Sequence, residues 1–391
     1  MQELLLLLLP LAAASGWLAA RSSARKQEKQ CVGETGPVYF RGLNHLLNEE
    51  PDKAIDAFVE ILEVDSDTVE THLALGNLFR RRGEVERAIR IHQNLIARPA
   101  LTREQRAQAL LELGQDYMRA GLFDRAENLF RELKETKLHV RQALNQLLLI
   151  YEKERDWQAC LEVVDQLEAL SGEKMGLQKS HYHCELAIEA KAQGRGSDAS
   201  AHLKKALNSH RGCVRANLLQ AQFAADQGDY RAAVRVLRET AERDADYLPE
   251  VLPDIVANYR QLGDLKGLRG FLSDTAATHP GGAAVSPLAD LIKEREGEKA
   301  AASYLAEQLA KAPSLSLLLR SIELNAGLPK SQSVRFLDSL RPHIHRLLED
   351  KPLYQCGHCG FEAKTLYWQC PSCRRWSTIR RKVGNGAGKE Q

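Results

Sequence analysis

The sequence predicts an all-α body of tandem helical hairpins, a solenoid, with an N-terminal transmembrane helix and a small C-terminal metal domain. Three observations predict it. Small residues and turn glycines recur every 33 to 40 residues through the middle of the chain, an uncharged run lies before them, and two Cys-x-x-Cys pairs lie after them. Of the 391 residues, 44% are hydrophobic and 27% charged, enough apolar material for a folded core. The net charge of +2 sets 54 basic against 52 acidic residues, so composition calls for no nucleic-acid partner.

The first element is residues 1–20, in which Leu4 to Ala20 carry no charge. Seventeen residues is the lower limit for a membrane-spanning helix. Gln2 and Glu3 precede the leucines where a signal peptide would carry positive charge, and Arg21, Arg25, Lys26 and Lys29 follow at once. The positive-inside rule then puts everything beyond residue 20 in the cytoplasm, with Trp17 at the interface. The alternative is a cleaved signal peptide, with Ala12, Ala13 and Ala14 as small residues for processing. Residues 21–35 read as a juxtamembrane linker.

Residues 36–326 form the repeat array. Gly76 leads to Gly83 and Ala88, Gly114 to Gly121 and Ala126, Ala187 to Gly194 and Ala199, and Ala221 to Gly228 and Ala233. Degenerate copies run through Gly42, Glu49 and Ala54; Leu147, Glu154 and Ala159; Val256, Gly263 and Leu268; and Asp290, Gly297 and Ala302. This period is that of tetratricopeptide repeats, each a pair of antiparallel helices. Small residues at the outer marks let the two helices approach closely, and Gly supplies the left-handed turn between them. Aromatic marks stand four residues before the turn (Phe79, Tyr117, Tyr259) and nine after it (Phe58, Phe130). One longer interval holds Pro99 and then Thr102 with Gln105, a capping-box helix start, so its extra residues belong in a loop. The pattern weakens at Leu268 and around Gly281, Gly282 and Pro287. Such arrays present a concave surface to a peptide or protein; the plainer role is a spacer.

After a connecting helix and linker at 327–351, residues 352–382 carry the metal domain, and 383–391 read as a flexible tail. Cys356, Cys359, Cys370 and Cys373 can converge as four thiolates on one metal ion, zinc or iron. So short a segment cannot bury enough apolar area alone, and its folding should depend on the metal. Its aromatic and basic residues (Tyr354, Phe361, Tyr367, Trp368, Trp376; Arg374, Arg375, Arg380, Arg381, Lys382) are expected to cover the metal and dock onto the last repeat helices. Single-stranded RNA binding is the alternative. Cys31, Cys160, Cys184 and Cys213 show no pairing rhythm and imply a reducing compartment, with a Cys160–Cys184 disulfide as the weaker reading.

The cluster His181-Tyr182-His183-Cys184 lacks a second ligand pair, and His343-x-His345 follows Pro342; packing and exposure account for both. No phosphate loop, nucleophile elbow or His-Glu-x-x-His helix occurs, so there is no catalytic candidate.

Taken together, the Met-x-Glu-Leu-Leu start, the stretch from Gly76 to Gln93 and the tail Cys-x-x-Cys-Gly-Phe…Leu-Tyr-Trp-x-Cys-Pro-Ser-Cys-Arg-x-Trp-Ser-Thr-Ile resemble the lipopolysaccharide assembly protein B family of Gram-negative bacteria. The resemblance runs over essentially the full length. It implies a single-pass inner-membrane protein whose bulk is cytoplasmic, with a tetratricopeptide body and a rubredoxin-like domain. It also implies a non-enzymatic adaptor working with the membrane protease FtsH to promote degradation of the deacetylase LpxC, and it makes other lipopolysaccharide-pathway proteins candidate partners. Carried over, the ligands are Cys356, Cys359, Cys370 and Cys373. Electron-transfer rubredoxins usually place Gly after the second pair, where this chain has Arg374. That departure favours a structural metal over a redox centre. Whether a second copy of the chain pairs with the first stays open.

Overall fold

A computed structural model of the chain describes residues 38, 40–45, 47–48, 50–64, 69–279, 282–325, 344 and 352–382. The expected membrane helix, the 21–35 linker, most of the 327–351 connection and the 383–391 tail lie outside the described residues. Among the described residues no helix is long and apolar enough to cross a membrane. The chain divides into two compact units, residues 1–173 and 174–391.

The first unit holds α1 (Pro51–Val64), α2 (Val69–Arg82), α3 (Val85–Ile96), α4 (Arg103–Ala120), α5 (Phe123–Glu135), α6 (Val140–Glu154) and α7 (Trp157–Ser171). Sequential neighbours pack as antiparallel hairpins. Gly83 and Gly121 occupy the turns at φ +90° and +76°, a region open to glycine and costly for other residues. The close approach has a definite partner. A Cβ on Gly114 would stand 2.5 Å from the Phe130 ring, and one on Gly42 would stand 3.0 Å from Phe58. Each glycine thus faces the ring sixteen positions on. In the hairpin between them the ring is His92, against Gly76. His92 is buried and bonds Asp116 Oδ2 through Nδ1 at 2.5 Å, while Arg80 reaches Asp116 at 2.8 Å and Glu112 at 2.6 Å. A buried polar network thereby ties α2 and α3 to α4. The Thr102 capping box forms as expected: Gln105 N–H donates to Thr102 Oγ1, and Thr102 N–H to Gln105 Oε1.

The α6/α7 hairpin corrects the expected register by one residue. The left-handed turn residue is Arg155, at φ +60°, and not Glu154. Cys160, fully buried, therefore fills the small-residue position expected of Ala159, and Tyr151 takes the aromatic mark four before the turn. A thiol is close enough to alanine in size to sit where the helices meet.

The second unit holds α8 (Gly176–Ala192), α9 (Gly196–Ser209), α10 (Val214–Asp226), α11 (Tyr230–Arg243), a short 3₁₀ turn (Ala245–Tyr247), α12 (Leu248–Leu262), α13 (Leu265–Thr278), α14 (Val285–Glu296), α15 (Glu298–Lys311) and α16 (Leu315–Asn325). The degenerate C-terminal copies are complete hairpins. Leu268, 1% exposed, joins an apolar core running from Ala221 to Leu324. At Gly297 the backbone takes a positive-φ conformation open to glycine (φ 92°, ψ 174°), α15 begins at once, and Ala301, not Ala302, is the buried small residue. Pro287 lies in the first turn of α14, where a missing N–H costs nothing. The unit also contains the antiparallel strands β1 (Tyr354–Cys356), β2 (Glu362–Ala363) and β3 (Ile379–Arg381), ordered β2-β1-β3 with Tyr354 opposite Ala363 and Cys356 opposite Ile379.

Candidate metal centre

Each Cys-x-x-Cys pair folds into the same tight knuckle. Gly360 N–H donates to the Cys356 carbonyl at 3.0 Å, and Arg374 N–H to the Cys370 carbonyl at 2.8 Å. The residue after each pair is left-handed, Gly360 at φ +76° and Arg374 at φ +58°. Arg374 thus adopts the conformation that glycine usually supplies. The strands deliver Cys356 to the centre, and the turn between Gln369 and Trp376 delivers Cys370 and Cys373.

The four Sγ atoms lie within 4.8 Å of one another. Cys356 and Cys373 are 3.7 Å apart, as are Cys359 and Cys370. Four thiolates held tetrahedrally at about 2.3 Å from zinc would stand about 3.8 Å apart, so the donor set fits such an ion. Burial works against ionising Cys356, but the Thr378 hydroxyl and the N–H groups of Cys359 and His358 outweigh it and hold the thiol at about 6. Cys359 is lowered, chiefly by the Phe361 N–H. At Cys373 the Arg375 N–H lowers the value, yet burial and the neighbouring sulfurs raise it to about 11. Four thiolates this close repel one another, and a bound cation is what would let all of them ionise.

The metal domain packs onto repeats of its own unit. Trp376 stacks on His181 of α8 (4.6 Å, 20°) and meets Tyr182 edge-on at 5.9 Å. Trp368 stacks on Tyr247 at 5.9 Å. His181 Nε2 lies 2.7 Å from Ser377 Oγ, the Tyr354 hydroxyl donates to Glu250 at 2.9 Å, and Arg380 pairs with Asp244 at 3.0 Å. Arg381 lies 3.6 Å from Glu250. Docking was expected on the last repeat helices; it falls instead on α8, on the 3₁₀ turn with Asp244 before it, and on the start of α12. The stacking rings and carboxylates that match the domain's tryptophans and arginines stand there. Burial, then Arg215 and His210, push the His181 imidazole down to about 3, so it is neutral at pH 7.

His181 is therefore a docking residue that the sequence offered only as core. Cys160, Cys184 and Cys213 are buried free thiols, and the Cys160–Cys184 disulfide does not form. Burial pushes the Cys160 thiol up. Cys184 shares a hydrogen bond with Cys213, which raises Cys184 and helps lower Cys213 to about 6.

A rubredoxin metal binding domain model matches residues 354–381, and tetratricopeptide repeat models match 71–107 and 184–247. Among solved structures, that of MamA is 20% identical, covering 46% of this chain and 93% of its own, with a TM-score of 0.35. Lipopolysaccharide assembly protein B of Escherichia coli K12 is 39% identical over 97% of this chain and 98% of its own length. The protein of the same name from Haemophilus influenzae Rd is 35% identical over the same shares. Identity of that order, sustained across nearly the whole length of both proteins, places this chain in the lipopolysaccharide assembly protein B family.

Proposed function

We propose that this chain is a non-enzymatic, inner-membrane-anchored cytoplasmic adaptor that regulates lipopolysaccharide biosynthesis by promoting FtsH-dependent proteolysis of the deacetylase LpxC. The observation that carries the reading is the alignment over 97% of the chain with relatives named for lipopolysaccharide assembly. Residues 4–20 are the anchor, which confines the repeats to the membrane surface and raises the effective concentration of a captured substrate near a membrane protease. The repeat hairpins supply the protein-binding surface. Cys356, Cys359, Cys370 and Cys373 hold one structural ion, zinc or iron, that folds the metal domain against the repeats. The RNA-binding alternative needs free aromatic faces and cations. Trp368, Trp376, Arg380 and Arg381 are engaged on Tyr247, His181, Asp244 and Glu250, which favours the adaptor.

The test is the half-life of LpxC in cells depleted of this protein and complemented with the full chain, with the chain lacking residues 1–20, or with Cys356→Ser. LpxC should persist on depletion, and only the full chain should restore its turnover. Unchanged LpxC turnover on depletion would refute the reading.

A further inference from the structure

A second cluster of metal-ligating side chains lies away from the four cysteines. His183 of α8 and His202 of α9 face each other across the hairpin that turns at Gly194, with Nδ1 atoms 3.3 Å apart. The rings are tilted by 38° with centroids 5.5 Å apart, and both residues are half-buried. In the sequence His183 belongs to a cluster that packing explains. In the fold, however, His183 turns from its neighbour His181 toward the partner helix.

The separation is informative. At 3.3 Å the two nitrogens can share one proton, so either ring donates to the other when no ion lies between them. Two imidazole nitrogens at about 2.0–2.1 Å from a tetrahedral zinc, subtending the tetrahedral angle, stand about 3.3–3.4 Å apart. The two Nδ1 atoms already stand at that bite, one on each helix of a single hairpin. Ligation through Nδ1 leaves each Nε2–H to outer partners or water.

We propose that His183 and His202 form a two-imidazole site for a divalent transition metal of the zinc class, separate from the four cysteines, with water completing the coordination. The charges around it are mixed. Burial, then Lys205, lower the proton affinity of His202; Asp198 raises it and Arg195 lowers it again. The balance leaves His202 below the ordinary histidine value, so it presents a neutral ring at pH 7, as a ligand must. Asp198, one turn before His202 on α9, pairs with Arg195 at 2.7 Å, which leaves the two imidazoles as the protein ligands. A bound ion would bridge α8 to α9 and stiffen the hairpin that carries His181.

The test uses the full chain with one equivalent of zinc already bound, titrated with zinc against a chromophoric chelator. The expected result is a second, weaker equivalent. His183→Ala and His202→Ala should each weaken it by roughly tenfold or more while leaving the first equivalent in place. In the wild-type chain labelled with ¹⁵N-histidine, the second equivalent should move the Nδ1 resonances of these two residues, a readout that depends on no variant. A single equivalent in the wild-type chain overturns the proposal. So does a second equivalent of unchanged affinity in both variants, or one that moves other histidines.

Discussion

Lowering the pH from 7 to 5 should loosen the metal domain from its platform through one side chain, His181. The ring lies flat under Trp376, with Nε2 at Ser377 Oγ and a buried Nδ1 that has no hydrogen-bond partner among the described residues. Protonation would place a charge and an unanswered N–H in that site, which is why the docked imidazole titrates at about 3. Once undocked, the ring should titrate near 6.5. Because the docked pKa is the lower of the two, the stabilisation is complete above pH 6.5 and is lost as pH falls toward 3, where the loss levels off. The undocked state binds one extra proton across that window, worth about 1.4 kcal/mol per pH unit. At pH 5 the loss is about 2 kcal/mol, a shift of roughly 30-fold in the docking equilibrium. The assay is urea unfolding of the zinc-loaded chain followed by tryptophan fluorescence at pH 7, 6 and 5, beside His181→Gln. Glutamine keeps a donor for Ser377 but does not titrate. Zinc affinity falls with pH in both proteins, so the difference between them isolates the imidazole. That difference should shrink by about 2 kcal/mol from pH 7 to pH 5. Parallel pH dependence in the two proteins would refute the reasoning.

Further outcomes follow from the packing, the turn geometry and the metal site. Gly114→Ala should destabilise the first unit by about 1–3 kcal/mol, because its Cβ would sit 2.5 Å from a fully buried Phe130 ring; thermal unfolding reads this. Gly121→Ala has open space around it but a φ of +76°, so it should cost about 1 kcal/mol through backbone strain alone; Arg155→Gly, in the matching turn at φ +60°, should gain a similar amount in the same melts. Stripping the metal with a chelator, or Cys356→Ser, should leave far-ultraviolet helicity nearly intact while amide exchange rises along 354–381 and in α8 near His181. Cys160→Ser should leave the metal content unchanged. Loss of helicity across the chain on chelation would show that the metal supports more than its own domain.

Much of this architecture is local in origin, and the sequence therefore determined it. Hairpin period, turn glycines, the Thr102 capping box and the two cysteine knuckles depend on residues a few positions apart, and spacing encodes such relations directly. The register slip at Arg155 was legible too: Tyr151 marks it, but a non-glycine residue in the left-handed turn hid the signal. His92 was hidden differently, because a histidine in a phenylalanine position shows its role only when Asp116 and Arg80 arrive from neighbouring helices. Tertiary structure alone decided where the metal domain sits and that His183 meets His202. His181 and Ser377 are 196 residues apart, and no periodicity relates them. Their contact exists because α8, the 3₁₀ turn with Asp244 before it, and the start of α12 together present a neutral imidazole, a tyrosine and two carboxylates to a domain too small to bury its own tryptophans.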